Sequence, residues 1–243
     1  MNRKLSRVAL FVVIAAALFT IGGCYTDGIN CLRGNGQLIT ENRSSQVFTQ
    51  IVSNGSFDVF VMPSVIHEVR VESESNLIGF IKTYVSGDRL IIETASNRCI
   101  NNTLPIRVTV YTPYANSFEL NGSGYMQAFN LNVEEVFAFV NGSGKIDLDF
   151  VSDYMKGSIS GSGTIEATGI TNATDLQISG SGNIYAYDLD QNKCYASISG
   201  SGNMYVFPNQ LLDAIISGSG NIYYRGNPQI VQQITGSGRI IKQ

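Results

Sequence analysis

From residue 117 onward, apolar and polar side chains alternate, and Gly-Ser-Gly interrupts the alternation at near-constant intervals. The triplet stands at 122–124, 142–144, 161–163, 180–182, 200–202, 218–220 and 236–238, with spacings of 20, 19, 19, 20, 18 and 18 residues. Two positions before it stand Leu120, Val140, Ile159, Ile178, Ile198, Ile216 and Ile234. Two positions after it stand Met126, Ile146, Ile165, Ile184, Met204, Ile222 and Ile240. Between these columns and the triplet most residues are polar, such as Ser160, Ser179 and Ser199 on one side and Asn183, Asn203 and Asn221 on the other. A period of two marks a half-buried strand, and glycine permits positive φ and close backbone approach. Each repeat therefore predicts strand, tight turn, strand. Asp190-Gln191-Asn192, Phe207-Pro208-Asn209 and Arg225-Gly226-Asn227-Pro228 fit the return corners. One repeat cannot bury its own apolar pair, but stacked repeats make a continuous core. The predicted fold class is all-β: a parallel β-helix or solenoid of about seven coils over residues 117–243. Three geometries fit: one repeat per coil, one larger coil per two repeats, or a three-sided helix with six-residue faces.

Residues 46–116 form a β-rich part without the regular triplet. Short strands are expected at Val47 to Val52, Phe57 to Met62, Val69 to Glu72, Leu90 to Glu93 and Ile106 to Tyr111, with one or two helical turns at Asn76 to Ile81. Asn54-Gly55-Ser56 reads as a degenerate first copy of the repeat. Solenoid ends expose pairing edges, so this part is expected to cap or extend the stack. No Pro/Ser-rich linker separates the two parts, and a soft boundary falls near Asn116.

The start of the chain changes the picture of where this solenoid works. Arg3, Lys4 and Arg7 precede an apolar run from Val8 to Phe19, shorter than the ~20 residues of a membrane span. Ile21-Gly22-Gly23-Cys24 follows and resembles a bacterial lipobox. Residues 1–23 then form a lipoprotein signal peptide, Cys24 carries the acyl chains, and residues 24–45 form a tether. Tyr25 follows the cysteine in place of the Asp that retains lipoproteins at the inner membrane, which points to the outer membrane.

Charge narrows the partners. The whole chain carries a formal −3, and the mature part is near −6 once the basic signal is gone. With no basic cluster after Cys24, nucleic acid is excluded as a partner. Cys31 and Cys99 are candidates for a disulfide outside the cytoplasm, and they are far apart in sequence. Cys194 shares a column with Val136, Met155, Leu212 and Ile230, so it reads as a buried, inert thiol. Scattered cysteines and a single histidine give no metal site, and no cofactor is expected.

The strand Phe57-Asp58-Val59-Phe60-Val61 is followed in order by Val69-Arg70-Val71-Glu72, Asn76-Leu77, a hairpin from Val85 to Ile91, and Val108-Thr109-Val110-Tyr111-Thr112-Pro113. With the tandem Gly-Ser-Gly repeats, this order resembles the auto-transporter adhesin, head GIN domain family, over roughly residues 47–241. The resemblance implies a two-sheeted superhelix with the triplets at tight turns, an exported protein of gut Bacteroidetes, and a role in cell adhesion. It implies no catalytic residues.

The side chains point to binding before catalysis. Ser123, Ser143, Ser162, Ser181, Ser201, Ser219 and Ser237 should line one edge. The one histidine, His67, lies outside the repeats and reads as a surface residue, so no nucleophile–base pair forms. Asp147 with Asp149, and Asp188 with Asp190, are spaced to share a face, as paired carboxylates in glycan cleavage do, but most repeats lack them. Solvated acids are the simpler reading. Tyr185, Tyr205 and Tyr223 should lie side by side on the outer face of three successive coils, beside Asn183, Asn203 and Asn221, with Tyr187 and Phe207 in a neighbouring column. Such a ladder fits a glycan- or protein-binding surface, or else simply stabilises the sheet. The function expected is a non-catalytic adhesin anchored in the membrane by lipid. The alternatives are a module that assembles into homo-oligomers and a polysaccharide-active β-helix enzyme. Asp147, Asp149 and a basic residue lining one groove would favour the enzyme.

Overall fold

In the computed structural model, residues 31–96 and 98–243 are described; Cys24, the signal peptide and the first residues of the tether lie outside them. The N-terminal part contains β1 (Leu32–Arg33), β2 (Leu38–Ser44), β3 (Gln50–Asn54), β4 (Asp58–Pro63) and β5 (Glu68–Glu74). A single 3-10 turn (Ile78–Phe80), β6 (Ile81–Ser86), β7 (Arg89–Thr94), β8 (Ile100–Asn101) and β9 (Arg107–Thr112) follow. The repeats supply β10 (Ser117–Gly122), β11 (Tyr125–Asn132), β12 (Glu135–Gly142), β13 (Lys145–Gly161), β14 (Thr164–Gly180) and β15 (Asn183–Gly200). They close with β16 (Asn203–Gly218), β17 (Asn221–Tyr224), β18 (Gln229–Gly236) and β19 (Arg239–Lys242).

The register settles the coil. Ile146 pairs with Ile165 and Ile159 with Ile178 in one parallel β13–β14 ladder, so one repeat makes one coil with two faces. The incoming face carries the segment before each triplet, and the outgoing face carries the segment after it. Leu120, Val140, Ile159, Ile178, Ile198 and Ile216 on one face, and Met126, Ile146, Ile165, Ile184, Met204 and Ile222 on the other, are at most 2% exposed. A one-residue slip would turn every core side chain outward, so unequal repeat lengths must be absorbed between the faces. The ladder shifts register between Ala128 and Leu131, between Glu166 and Gly169, and between Ala186 and Lys193, all at the far corner.

The near corner tolerates no such variation. The first glycine of each triplet has positive φ, +135° at Gly200. A Cβ there would stand 2.3 Å from the carbonyl oxygen of Gly180 in the coil below. Ser201 and Gly202 donate their N–H groups to that same carbonyl, at 2.8 and 3.1 Å. Close stacking and positive φ thus select glycine together.

The stack does not start where the regular repeats start. Asn54 pairs with Asn121, so Asn54-Gly55-Ser56 turns the corner of a coil directly beneath β10 and β11. Beneath that coil lies another, made of β7 and β9, which pair in parallel with β3 and β4. The chain therefore leaves the stack after β4 and returns to lay down a coil under the one it has just made. In doing so it caps both faces with antiparallel strands: β6 on β7, and β5 on β9 with β2 beyond it. Residues 38–44, expected within a tether running to residue 45, are thus a strand of the sheet. The cause is the antiparallel partner β5, a contact invisible to a local reading of a polar segment. Arg43 from β2 reaches across this end to the carbonyls of Ile81 and Ile78, at 2.8 and 3.3 Å, and to Thr83 at 3.2 Å. It satisfies backbone groups that the end of the stack would otherwise strand.

A covalent clasp holds the first described residues. Cys31 and Cys99 form a disulfide with Cα atoms 4.5 Å apart, and β1 pairs in parallel with β8 beside it. Next to this clasp the buried carboxylate of Glu74 accepts the Thr103 hydroxyl at 2.6 Å and the N–H groups of Gly36 and Thr103 at 2.7 and 2.8 Å. These donors, the Thr103 hydroxyl foremost, hold its carboxyl below the ordinary 4.5. A carboxyl more acidic in the folded than in the unfolded chain stabilises fully above that ordinary value, and the contribution is lost as pH falls below it. Protection factors of residues 32–37 and 100–103, taken against the intrinsic exchange rate at each pH, should therefore fall on acidification through this range, while those in β14 stay high. Glu74→Gln should remove the pH dependence; an unchanged acid response in that variant would refute this role.

Candidate functional site

The candidate face is the outer surface of the outgoing segments of β15, β16 and β17. Alternation along each strand aims Tyr185, Tyr205 and Tyr223 outward, and the ladder sets them in register. Tyr185 and Tyr205 stack with ring centroids 4.8 Å apart and planes 10° off parallel; Tyr205 and Tyr223 do so at 5.0 Å and 8°. The spacing is that of neighbouring strands, so sheet geometry itself imposes the stack. Tyr187 meets Tyr205 edge-on at 5.6 Å. Burial among neighbours raises the phenols of Tyr205 and Tyr187 above the ordinary 10, so both stay neutral at physiological pH. Because the inner ring faces cover one another, the column offers its ring edges and hydroxyls to a ligand.

Asn183, Asn203 and Asn221 form the adjacent row. Each upper side-chain amide donates to the amide oxygen below, at 3.3 Å in both steps. A second asparagine ladder, absent from the sequence expectations, runs along the other side of the corner. Asn121 donates to Asn54 at 2.9 Å and Asn141 to Asn121 at 2.8 Å. The signal was present: asparagine stands immediately before the first glycine at 54, 121 and 141.

Sequence counting also missed Arg225. Its guanidinium lies 4.0 Å from the centroid of Tyr187, two coils away. The signal was present: Arg225 stands five residues after its triplet, as Tyr187 and Phe207 do after theirs, so it continues their column.

The acids are arranged otherwise. Asp147 and Asp149 do share the outer side of β13. Lys145 is paired with Glu166, and the Tyr125 hydroxyl donates to Asp147 at 3.2 Å. Burial, and secondarily Asp147, push the Tyr125 phenol up to about 12. These groups are half-exposed on a sheet surface, outside the hollow of about 320 Å³ lined by Phe57, Arg98, Cys99 and Ile106. Asp188 and Asp190 are exposed, and Asn209 donates to Asp190 at 2.6 Å. The seven triplet serines are exposed along the near corner. His67 lies far from them, its Nδ1 3.3 Å from the Thr112 hydroxyl and its ring against Phe48. Cys194 is fully buried, which pushes its thiol up to about 12 and leaves it unreactive at physiological pH. Among the described residues no cluster of three metal-ligating side chains occurs, and no helix is long and apolar enough to cross a membrane.

With this geometry in hand, the chain can be set beside known proteins. The sequence profile of the family described as "Putative auto-transporter adhesin, head GIN domain" matches residues 47–228. A putative adhesin from Bacteroides fragilis superposes with a TM-score of 0.81 at 21% identity, over 87% of this chain and 100% of that one. A putative lipid binding protein from Parabacteroides distasonis gives 0.71 at 26% identity, over 87% and 99%. A putative adhesin from Parabacteroides merdae gives 0.68 at 20% identity, over 87% and 98%. No curated protein matches the chain.

Proposed function

Because the chain belongs to the auto-transporter adhesin, head GIN domain family, we propose that it is a non-catalytic cell-envelope lipoprotein that binds glycan or protein through the outer face of its solenoid. The observation that carries this reading is the Tyr185–Tyr205–Tyr223 column beside the Asn183–Asn203–Asn221 row. Rigid aromatics with polar tips give contact area at little entropic cost, and a long ladder holds them in place. Acylation of Cys24 would tether the solenoid to the outer membrane. The Cys31–Cys99 disulfide supports an oxidising compartment, and so export. Against a glycan-cleaving enzyme, Asp147 and Asp149 stand on a sheet surface, and Lys145 on the same strand is engaged by Glu166.

Two measurements test this. Protease shaving of intact cells, with a periplasmic protein as leakage control, should remove the solenoid; protection until lysis would refute a surface adhesin. Glycan and matrix-protein arrays probed with the full chain should give binding that falls about tenfold or more in Tyr205→Ala, as loss of a central aromatic contact does. Binding indifferent to that change would remove the face from consideration.

A further inference from the structure

We infer that this face selects an acidic glycan, with Arg225 as the residue that reads its negative charge; this rests on the reading of the Tyr–Asn face as a ligand surface. Arg225 is exposed and forms no salt bridge among the described residues, while its guanidinium lies on the ring of Tyr187. Four other basic side chains are engaged by acids, Arg89 by Glu119, Arg107 by Glu72, Lys145 by Glu166 and Lys156 by Asp175, and the exposed Lys193 of β15 stands on the incoming segment, away from the tyrosine column. From residue 214 to 243 the sequence has three basic residues and no acidic one, in a chain of net charge −3. The cationic charge is therefore concentrated beside the aromatic column and left without an internal partner.

Chemistry favours a glycan over an acidic peptide. An extended peptide gains main-chain hydrogen bonds only at an open strand edge. Here the outgoing segment of β16 is already paired with β15 on one side and β17 on the other. Affinity must come from side chains, and those on offer are phenol hydroxyls, amides and one guanidinium. Hydroxyls and amides match a polyhydroxylated chain. A guanidinium stacked on a ring keeps its N–H edge free for two parallel hydrogen bonds to a carboxylate.

The test uses the full chain in detergent and a matched pair of probes: polygalacturonate and the same polymer after carboxyl reduction. Polygalacturonate should bind, more weakly as ionic strength rises, and about tenfold more tightly than the reduced polymer, the step expected for one charged contact. Arg225→Ala should lose that preference, binding the two polymers about equally, and Arg225→Lys should retain part of it, because charge survives and the fork does not. Arg107→Ala should change nothing. Thermal unfolding followed by circular dichroism confirms that each variant is folded. Equal binding of both polymers, or an unaffected Arg225→Ala, overturns the assignment of charge selectivity; loss of that binding in Tyr205→Ala would still leave the face as a ligand surface. Poly-L-glutamate binding as tightly as polygalacturonate overturns the glycan assignment. Binding of no polymer overturns this inference, whereas a hit on the protein array that Tyr205→Ala abolishes would preserve the broader reading.

Discussion

Replacing Gly200 by alanine should destabilise the protein by about 3–5 kcal/mol, far beyond an ordinary surface substitution. Two costs combine. The residue has φ of +135°, where a side chain is strained. The new Cβ would also fall 2.3 Å from the Gly180 carbonyl oxygen, which belongs to the backbone and has no rotamer to change. Coils 200 and 180 would have to part, lengthening the bonds from Ser201 and Gly202 to that oxygen. Gly87→Ala separates the two costs. Its φ is +65° but nothing lies within 4 Å of its added Cβ, so it should lose only the ~1–2 kcal/mol of a left-handed backbone. Ser201→Ala, at the exposed centre of the same triplet, should stay within about 0.5 kcal/mol. Urea unfolding followed by circular dichroism gives all three. Equal losses at Gly200 and Gly87 would show that stacking places no demand on the triplet.

These magnitudes explain why the repeats were readable. Where each coil has the same neighbour, one steric demand recurs at each turn, and the glycine and isoleucine columns are its trace. The degenerate Asn54-Gly55-Ser56 turn was legible for that reason. Legibility failed where a partner is distant and unrepeated. Nothing local in residues 38–44 announces β5 as a partner, and nothing in β7 and β9 announces that they underlie a coil made earlier in the chain. Arg43 and Glu74 look like ordinary surface charges until the folded cap surrounds them. On the candidate face the tyrosine column could be counted, because β15 to β17 keep register there. Arg225 falls in the Tyr187–Phe207 column by the same count, but its reach over two coils to the Tyr187 ring is a side-chain contact that spacing does not show. Thr174 and Gln191 are fully buried, the threonine hydroxyl 2.6 Å from the Gln191 amide oxygen. Their bond, like the 3.1 Å contact of the buried Ser152 and Thr171 hydroxyls, joins only two neighbouring coils at the corner of unequal length and leaves no fixed spacing.

Ile198→Ala should cost about 2–5 kcal/mol, and Ile215→Ala less than about 0.5. Both isoleucines occupy incoming strand segments of neighbouring coils, β15 and β16, so strand propensity and ladder hydrogen bonding are closely matched. They differ in the face they occupy. Ile198 is 0% exposed and pairs in register with Ile178 below and Ile216 above. Its γ2 methyl lies 2.7 Å from where a Cβ on Gly220 would be, so it fills the space beneath the next triplet. Removing it opens a void that the paired backbones on either side cannot close by moving. Ile215 is 46% exposed on the outer surface and leaves no void. With tryptophan absent, tyrosine fluorescence and circular dichroism together follow urea unfolding. Coincident transitions with a large shift for Ile198→Ala alone are expected. Similar shifts for the two variants would overturn the inward and outward assignment on which the tyrosine column and the Arg225 contact both depend, since every side chain on these coils takes its face from the same register.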